Sequence, residues 1–256
     1  MTELAASGVL NKAFMVLGTF GPTRRTLTLS EIARRSGLPK TTTHRVLHQM
    51  LTVGAIERVG QEYRIGTRMF ALSSPSREAA VREVAQPHLH DLSRRFGNTL
   101  HLATLCDTDV MYIEKLQSRA TASSPSAVGT RLPAHCTAVG KVLLAYQPPS
   151  KLQRVLSKPL SARTSASIAS PDRLQGVLAK VRDLGFATDN EEAAIGLRCV
   201  AVPIKVSGCA VAAVSIAHSA TIRLSNDQLP ALLATAAAIG RGLTRMPGYV
   251  RILQMG

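Results

Sequence analysis

The chain has 256 residues, 45% of them hydrophobic, and carries 31 Lys and Arg against 16 Asp and Glu, a net charge of +15. That length suits one large domain or two modest ones with a proper core, and the charge calls for an anionic partner, of which nucleic acid is the commonest. No apolar run reaches the ~20 residues of a membrane span, and MTELAASGVL lacks the basic start and apolar stretch of a secretory signal, so a cytoplasmic protein with no membrane partner is expected.

Residues 8–20 place Leu10, Ala13, Phe14 and Leu17 at the spacing of one buried helix face. GPTRRT interrupts that pattern. Thr28 and Glu31 have capping-box spacing, which predicts a second helix running through Ile32 and Ala33 to Ser36. Gly37 is suited to the positive φ that ends a helix, and Pro39 to the first turn of the next one. In that third helix Thr43, Val46, Leu47 and Met50 share one face. Thr41, Arg45 and His48 fall opposite, with Lys40, Thr42 and His44 on the flanks. AIERV (55–59), a turn at GQE and YRI (63–65) then read as a hairpin. Helix, helix, tight corner, helix and hairpin is the order of a winged helix-turn-helix, expected over residues 1–66.

This order explains the polar run LPKTTTHR. The third helix of such a unit lies in the major groove with its N-terminal half against base edges. Arg45 there is suited to guanine O6 and N7, the threonines to thymine methyls or phosphates, and Lys40 to a phosphate. Lys40, Thr41, Thr42, His44 and Arg45, with Arg58 and Arg64 on the hairpin, form the candidate DNA-binding set. The competing reading of TTTHR is a solvated helix face. Three β-branched threonines are poor helix formers for a surface with no task.

Residues 67–80 read as a linker that begins helically and is broken by SSPSREAA. A helix returns from Val81, with Pro87 as a kink. Beyond it, β-type runs at 99–106, 109–116, 199–206 and 210–217 mix with helical stretches at 137–146, 171–184 and 225–243. The last opens on a capping box, Ser225 and Gln228. Such a mixture without strict alternation predicts an α+β domain around an antiparallel sheet over 81–256.

Metal and catalytic patterns are weak. Cys106, Cys136, Cys199 and Cys209 share no CxxC spacing, so buried reduced thiols are expected. His88 and His90, two apart on a helix, point to different faces, and with His101 make a poor zinc set. Ser215, His218 and Asp189 lack a G-x-S-x-G elbow. Glu191 and Glu192 read as caps or solvated groups. No catalytic residue, metal or cofactor is expected.

Four fragments in order resemble the IclR-type bacterial transcriptional regulators: LTLSEIARRSGLPKTTTHRVLHQM, REVAQPHLHDLSRRFGNTLHLATL, GTRLPAHCTAVGKVLLA and DNEEAAIGLRCVAVPI. The resemblance implies a winged helix-turn-helix followed by a GAF-like α/β domain that binds a small effector, in a dimer or dimer of dimers on double-stranded operator DNA. Carried over residue by residue, it implies effector contacts at Ala138, Val139, Asp189, Cys199, Ser215 and Ala217. A helix opening at TAVGK offers unpaired N–H groups to a carboxylate. Two positions depart from the small-carboxylate binders. Ala217 stands where those have a serine, and Val139 is bulkier than the usual small residue. A more apolar effector follows, such as an aromatic or longer-chain acid. The other reading is a DNA-binding regulator or scaffold whose second domain only oligomerises or docks a protein partner.

Overall fold

Thr28 and Glu31 close the capping box that their spacing predicts. In the computed structural model, which describes residues 8–118 and 125–250, the Thr28 hydroxyl accepts from the Glu31 N–H at 3.3 Å and the Glu31 carboxylate accepts from the Thr28 N–H at 2.8 Å. The chain divides into two compact units between Ser76 and Arg77.

The first unit holds α1 (Val9–Leu17), β1 (Thr26–Thr28), α2 (Leu29–Ser36), α3 (Lys40–Thr52), β2 (Ile56–Val59), β3 (Glu62–Ile65) and α4 (Thr67–Ser73). Gly37 ends α2 at φ 69°, and a Cβ there would meet nothing within 4 Å, so the glycine serves the backbone angle and not packing. Pro39 is the residue before α3, not inside its first turn. Ile32, Val46, Leu47, Met50, Ile56 and Tyr63 are buried together with Val16 and Leu27. The expected face of α1 holds only in part: Ala13 and Leu17 pack against this cluster. Leu10 and Phe14 are 71% and 64% exposed, while Val16 is fully buried. VLNKAFMVL is apolar on two sides, so spacing alone does not choose between them. β1 was not foreseen; it pairs with β3 and makes the hairpin a three-stranded sheet in the order β1-β3-β2.

The second unit opens with α5, which starts at Arg77, ahead of the expected Val81, and runs through Pro87 to Phe96. β4 (Thr99–Cys106), β5 (Asp109–Leu116), β6 (Arg131–Pro133), a 3₁₀ turn at Ala134–Cys136, α6 (Ala138–Ala145), α7 (Pro149–Leu156), α8 (Pro171–Leu184), β7 (Ala187–Asn190), β8 (Leu197–Val206), β9 (Cys209–Ser219) and α9 (Gln228–Arg245) follow. The strands form an antiparallel six-stranded sheet in the order β6-β5-β4-β9-β8-β7. α9 begins later than expected because one arm of its box is missing. The Ser225 N–H donates to Gln228 Oε1, but the Ser225 hydroxyl donates to Asp227.

Strand alternation gives the sheet two unlike faces. Leu100, Leu102, Val200, Val202, Val214 and Ile216 pack with α5 and α9. The other face, under α6 and α8, carries the smaller Ala103, Ala201 and Ala213, and on the same β9 parity Ser215 and Ala217. α6 also folds back closely on the 3₁₀ turn that leads into it. A Cβ on Gly140 would lie 2.1 Å from the Ala134 carbonyl oxygen. The small residues at the start of α6 therefore serve close packing. Not every thiol is buried as expected: Cys136 is, whereas Cys209, at the turn between β8 and β9, is exposed.

Two stability outcomes follow. Gly140→Ala forces backbone apart and costs on the order of 1–3 kcal/mol or more, whereas Thr28→Ala removes one cap and costs about 1 kcal/mol. Urea unfolding of the two variants measures both.

Candidate DNA-reading surface and effector site

The corner at Gly37 frees the start of α3. Lys40, Thr41, His44 and Arg45 are exposed and Thr42 is half-buried, while Thr43 turns inward and its hydroxyl donates to the Pro39 carbonyl. His48 and Gln49 are exposed one turn further on, so the polar face covers more of α3 than the first turns alone. The wing arginines differ from each other. Arg58 curls over its own turn, donating to Gly60 O at 3.0 Å and Gln61 Oε1 at 3.2 Å. Arg64 faces its register partner Glu57 in an ion pair of 2.7 Å. Its charge is thereby partly balanced. Sequence reasoning passed over Arg24 and Arg25, exposed beside β1; Arg25 and Arg64 line one surface hollow with Leu17 and Phe20. The basic pair in GPTRRT was the available signal.

In the second unit the six candidate effector residues gather on the small-residue face of the sheet. Register places Asp189 opposite Cys199, and Cys199 opposite Ala217. One pair along, Ala201 stands opposite Ser215 and Ser215 opposite His101. Above them α6 begins with Ala138 and Val139, both buried. Its cap, Thr137, accepts from the Gly140 N–H at 3.1 Å, and the Lys141 N–H goes to the Thr137 carbonyl. The helix start thus presents the N–H groups of Ala138 and Val139 together with the positive end of the helix dipole.

The buried polar groups here carry most of the electrostatics. Asp189 Oδ1 accepts from the N–H groups of Glu192 and Ala193, at 2.7 and 3.3 Å, and so holds the 191–196 loop. Burial nevertheless pushes its carboxyl up to about 6, against those bonds and the Lys141 charge. Glu192 was expected at a cap or in solvent. It is instead buried and paired with Lys141 at 2.5 Å. The pair adds two charges to the interior and no net charge.

His101, which sequence reasoning weighed only as a metal ligand, is buried at the edge of the same site. Nε2 lies 2.6 Å from Ser126 Oγ and Nδ1 lies 3.4 Å from Ser215 Oγ. Burial and the Lys115 charge hold its imidazole down at about 3, so the ring is neutral. Burial also pushes the thiols up, Cys136 to about 12 and Cys199 well above the ordinary range; neither is a ready nucleophile. His135 donates to or accepts nothing from the other site groups named here: its Nε2 lies 3.0 Å from the Ser161 carbonyl, so it donates there and pins its loop.

The triad and metal arrangements do not assemble. Ser215 and His218 sit at odd separation on β9, on opposite faces of the sheet, and His218 bonds the Ser219 carbonyl. Among the described residues no group of three or more His, Cys, Asp or Glu is placed to hold a metal ion. No helix among them is long and apolar enough to cross a membrane.

Comparison with known proteins identifies the family of both units. Residues 9–60 match the IclR helix-turn-helix domain, and residues 76–245 match the bacterial transcriptional regulator IclR C-terminal domain. The HTH-type transcriptional regulator XynR of Escherichia coli K12 is 32% identical over 248 residues, covering 94% of this chain and 97% of its own. The HTH-type transcriptional regulator KdgR of the same organism is 32% identical over 250 residues, with 96% and 94% covered. Among solved structures, an IclR homolog from Microbacterium hydrocarbonoxydans complexed with 4-hydroxybenzoate superposes with a TM-score of 0.84 at 30% identity, covering 91% of this chain and 98% of that one. The Thermotoga maritima IclR superposes with a TM-score of 0.72 at 29% identity, over 92% and 98%. With a helix-turn-helix domain matched in the first unit and the second unit matched over nearly all of its length, the chain belongs to the IclR family of DNA-binding transcriptional regulators.

Proposed function

We propose that this regulator binds a palindromic operator as a dimer or dimer of dimers, and that a small organic acid held beneath α6 modulates its affinity for that operator. The N-terminal half of α3 reads base edges through Thr41, Thr42, His44 and Arg45, Lys40 holds a phosphate, and Arg58 and Arg64 contact the backbone from the wing. Arg64 contributes less than Arg58, because Glu57 already balances it. Effector binding favours one arrangement of the DNA-binding units over another, through the 67–80 segment.

One observation carries the effector reading. Ala138, Val139, Asp189, Ser215 and Ala217, all buried, and the half-buried Cys199 come from α6, β7, β8 and β9 onto one patch under a helix N-terminus. A carboxylate suits those N–H groups and the Ser215 hydroxyl. Ala217 offers no second hydroxyl and Val139 adds methyl groups, which favours an aromatic or longer-chain acid. The 4-hydroxybenzoate held by the Microbacterium homolog is of that class.

In binding to operator DNA, Arg45→Ala is expected to cost ~1–3 kcal/mol and to blur base preference. Lys40→Ala is expected to weaken all sequences alike and to lower the salt slope by about one. Titrations against operator and scrambled duplexes at several salt concentrations measure both, and unchanged discrimination by Arg45→Ala refutes the recognition face. A thermal-shift series with benzoate, 4-hydroxybenzoate, pyruvate and longer acyl acids is expected to give a saturable rise in Tm, larger for the aromatic or long-chain acids than for pyruvate. A flat series refutes the effector reading and favours a second domain that only oligomerises or docks a partner.

A further inference from the structure

His101 occupies a position with no assigned role, and its geometry is unusual for a core histidine. It is buried, neutral, and engaged through both ring nitrogens by serines from different parts of the second unit. Ser215 is its cross-strand neighbour on β9. Ser126 lies in the loop before β6, and the Lys115 ammonium donates to the Ser126 carbonyl at 2.7 Å. The Tyr112 ring stands edge-on to the imidazole, centroids 5.2 Å apart. The same loop is tied to Tyr112 by its backbone, Gly129 N–H to Tyr112 O at 2.8 Å and Tyr112 N–H to Thr130 O at 3.1 Å.

A neutral imidazole has one donor nitrogen and one acceptor nitrogen. Either tautomer can make both contacts, and the one with the ring proton on Nδ1 is the one that matches the N–H groups at the start of α6: it has Ser126 donate to Nε2, 2.6 Å away, and aims the ring proton at Ser215 Oγ, 3.4 Å away. A serine hydroxyl that accepts from histidine has its own proton left to give, and at this position it faces the patch under α6. The three groups form a chain of donors with one direction: Ser126 to His101, His101 to Ser215, Ser215 to whatever occupies the site.

We infer that His101 is a positioning residue of the effector site, which fixes Ser215 as a hydrogen-bond donor and so selects an oxyanion-bearing ligand. This rests on the effector reading above. The opposite tautomer would turn Ser215 into an acceptor and select a ligand hydroxyl or amine. Ala217, one step along the same face of β9, supplies no second hydroxyl, so the single serine depends on the histidine for its polarity. Because Ser126 belongs to the loop before β6, the same chain links that loop to the occupancy of the site.

Two measurements on the full-length protein test the inference. Long-range ¹⁵N–¹H correlation of histidine-labelled protein is expected to show His101 as the neutral Nδ1–H tautomer at pH 7. An Nε2–H tautomer overturns the inference, whatever binds. Calorimetric titration with 4-hydroxybenzoate and 4-hydroxybenzamide, a pair differing in the carboxylate, is expected to favour the acid. His101→Leu is expected to reduce affinity for the acid by about tenfold, the scale of one hydrogen bond to a charged group, with little change for the amide. His101→Gln, which keeps a donor and an acceptor, is expected to restore the preference. Equal acid-to-amide ratios in the wild type and both variants overturn the inference while leaving the effector reading intact. If neither these two compounds nor any acid of the thermal-shift series binds, the effector reading fails and the inference with it, and an Nδ1–H tautomer then marks a purely structural hydrogen bond.

Discussion

The contact on which the second unit depends is the approach of α6 to the backbone at Ala134. Where a side chain would need to fit, Gly140 has none, and the helix comes in at backbone distance. Beside that contact, α6, capped by Thr137, packs over the small-residue face of the sheet. The donors at the helix start and the side chains of β8 and β9 then belong to one site. A larger residue at Gly140 would push the helix away from the turn that leads into it. The small side chains of β9 on this face, alternating with Val214 and Ile216 on the other, are the matching feature of the sheet.

Within that site charge is arranged to cancel. Lys141 and Glu192 neutralise each other, which a buried pair must do to offset its desolvation. Asp189 is occupied by two N–H groups of the 191–196 loop, and its raised pKa reflects how far burial outweighs them. The neutral His101 adds a directional hydrogen bond without a charge. An organic acid bound there as proposed would be met by dipoles and hydroxyls more than by a free cation. In a water-poor interior, such groups hold an anion with little reorganisation.

The DNA-binding unit uses charge in the opposite way, on its surface. Its first 75 residues carry ten Lys and Arg against four Asp and Glu. Two of those acids have local tasks. Glu31 closes a helix cap and Glu57 pairs with Arg64 while accepting from the Thr67 N–H. Burial of Ile32, Val46 and Leu47 fixes the angle between α2 and α3, and the exposed side of α3 is left free for recognition.

What the chain determined by itself was local. The Thr28 box, the positive φ at Gly37, the polar face of α3 and the alternation along β4, β8 and β9 each depend on residues within a few positions of one another. Sequence spacing reports those directly. Tertiary structure decided the rest. Both sides of α1 are apolar, so its buried face depended on what packs there. β1 and β7 are too short for a period to show, and exist because β3 and β8 offer open edges. Glu192 became a buried ion-pair partner because Lys141, 51 residues away in sequence, reaches it. His101 gained its role from Ser215, 114 residues distant, through the β4–β9 register. Polar groups in a core are defined by their partners, and partners at such separations are set by the register of strands and not by local spacing.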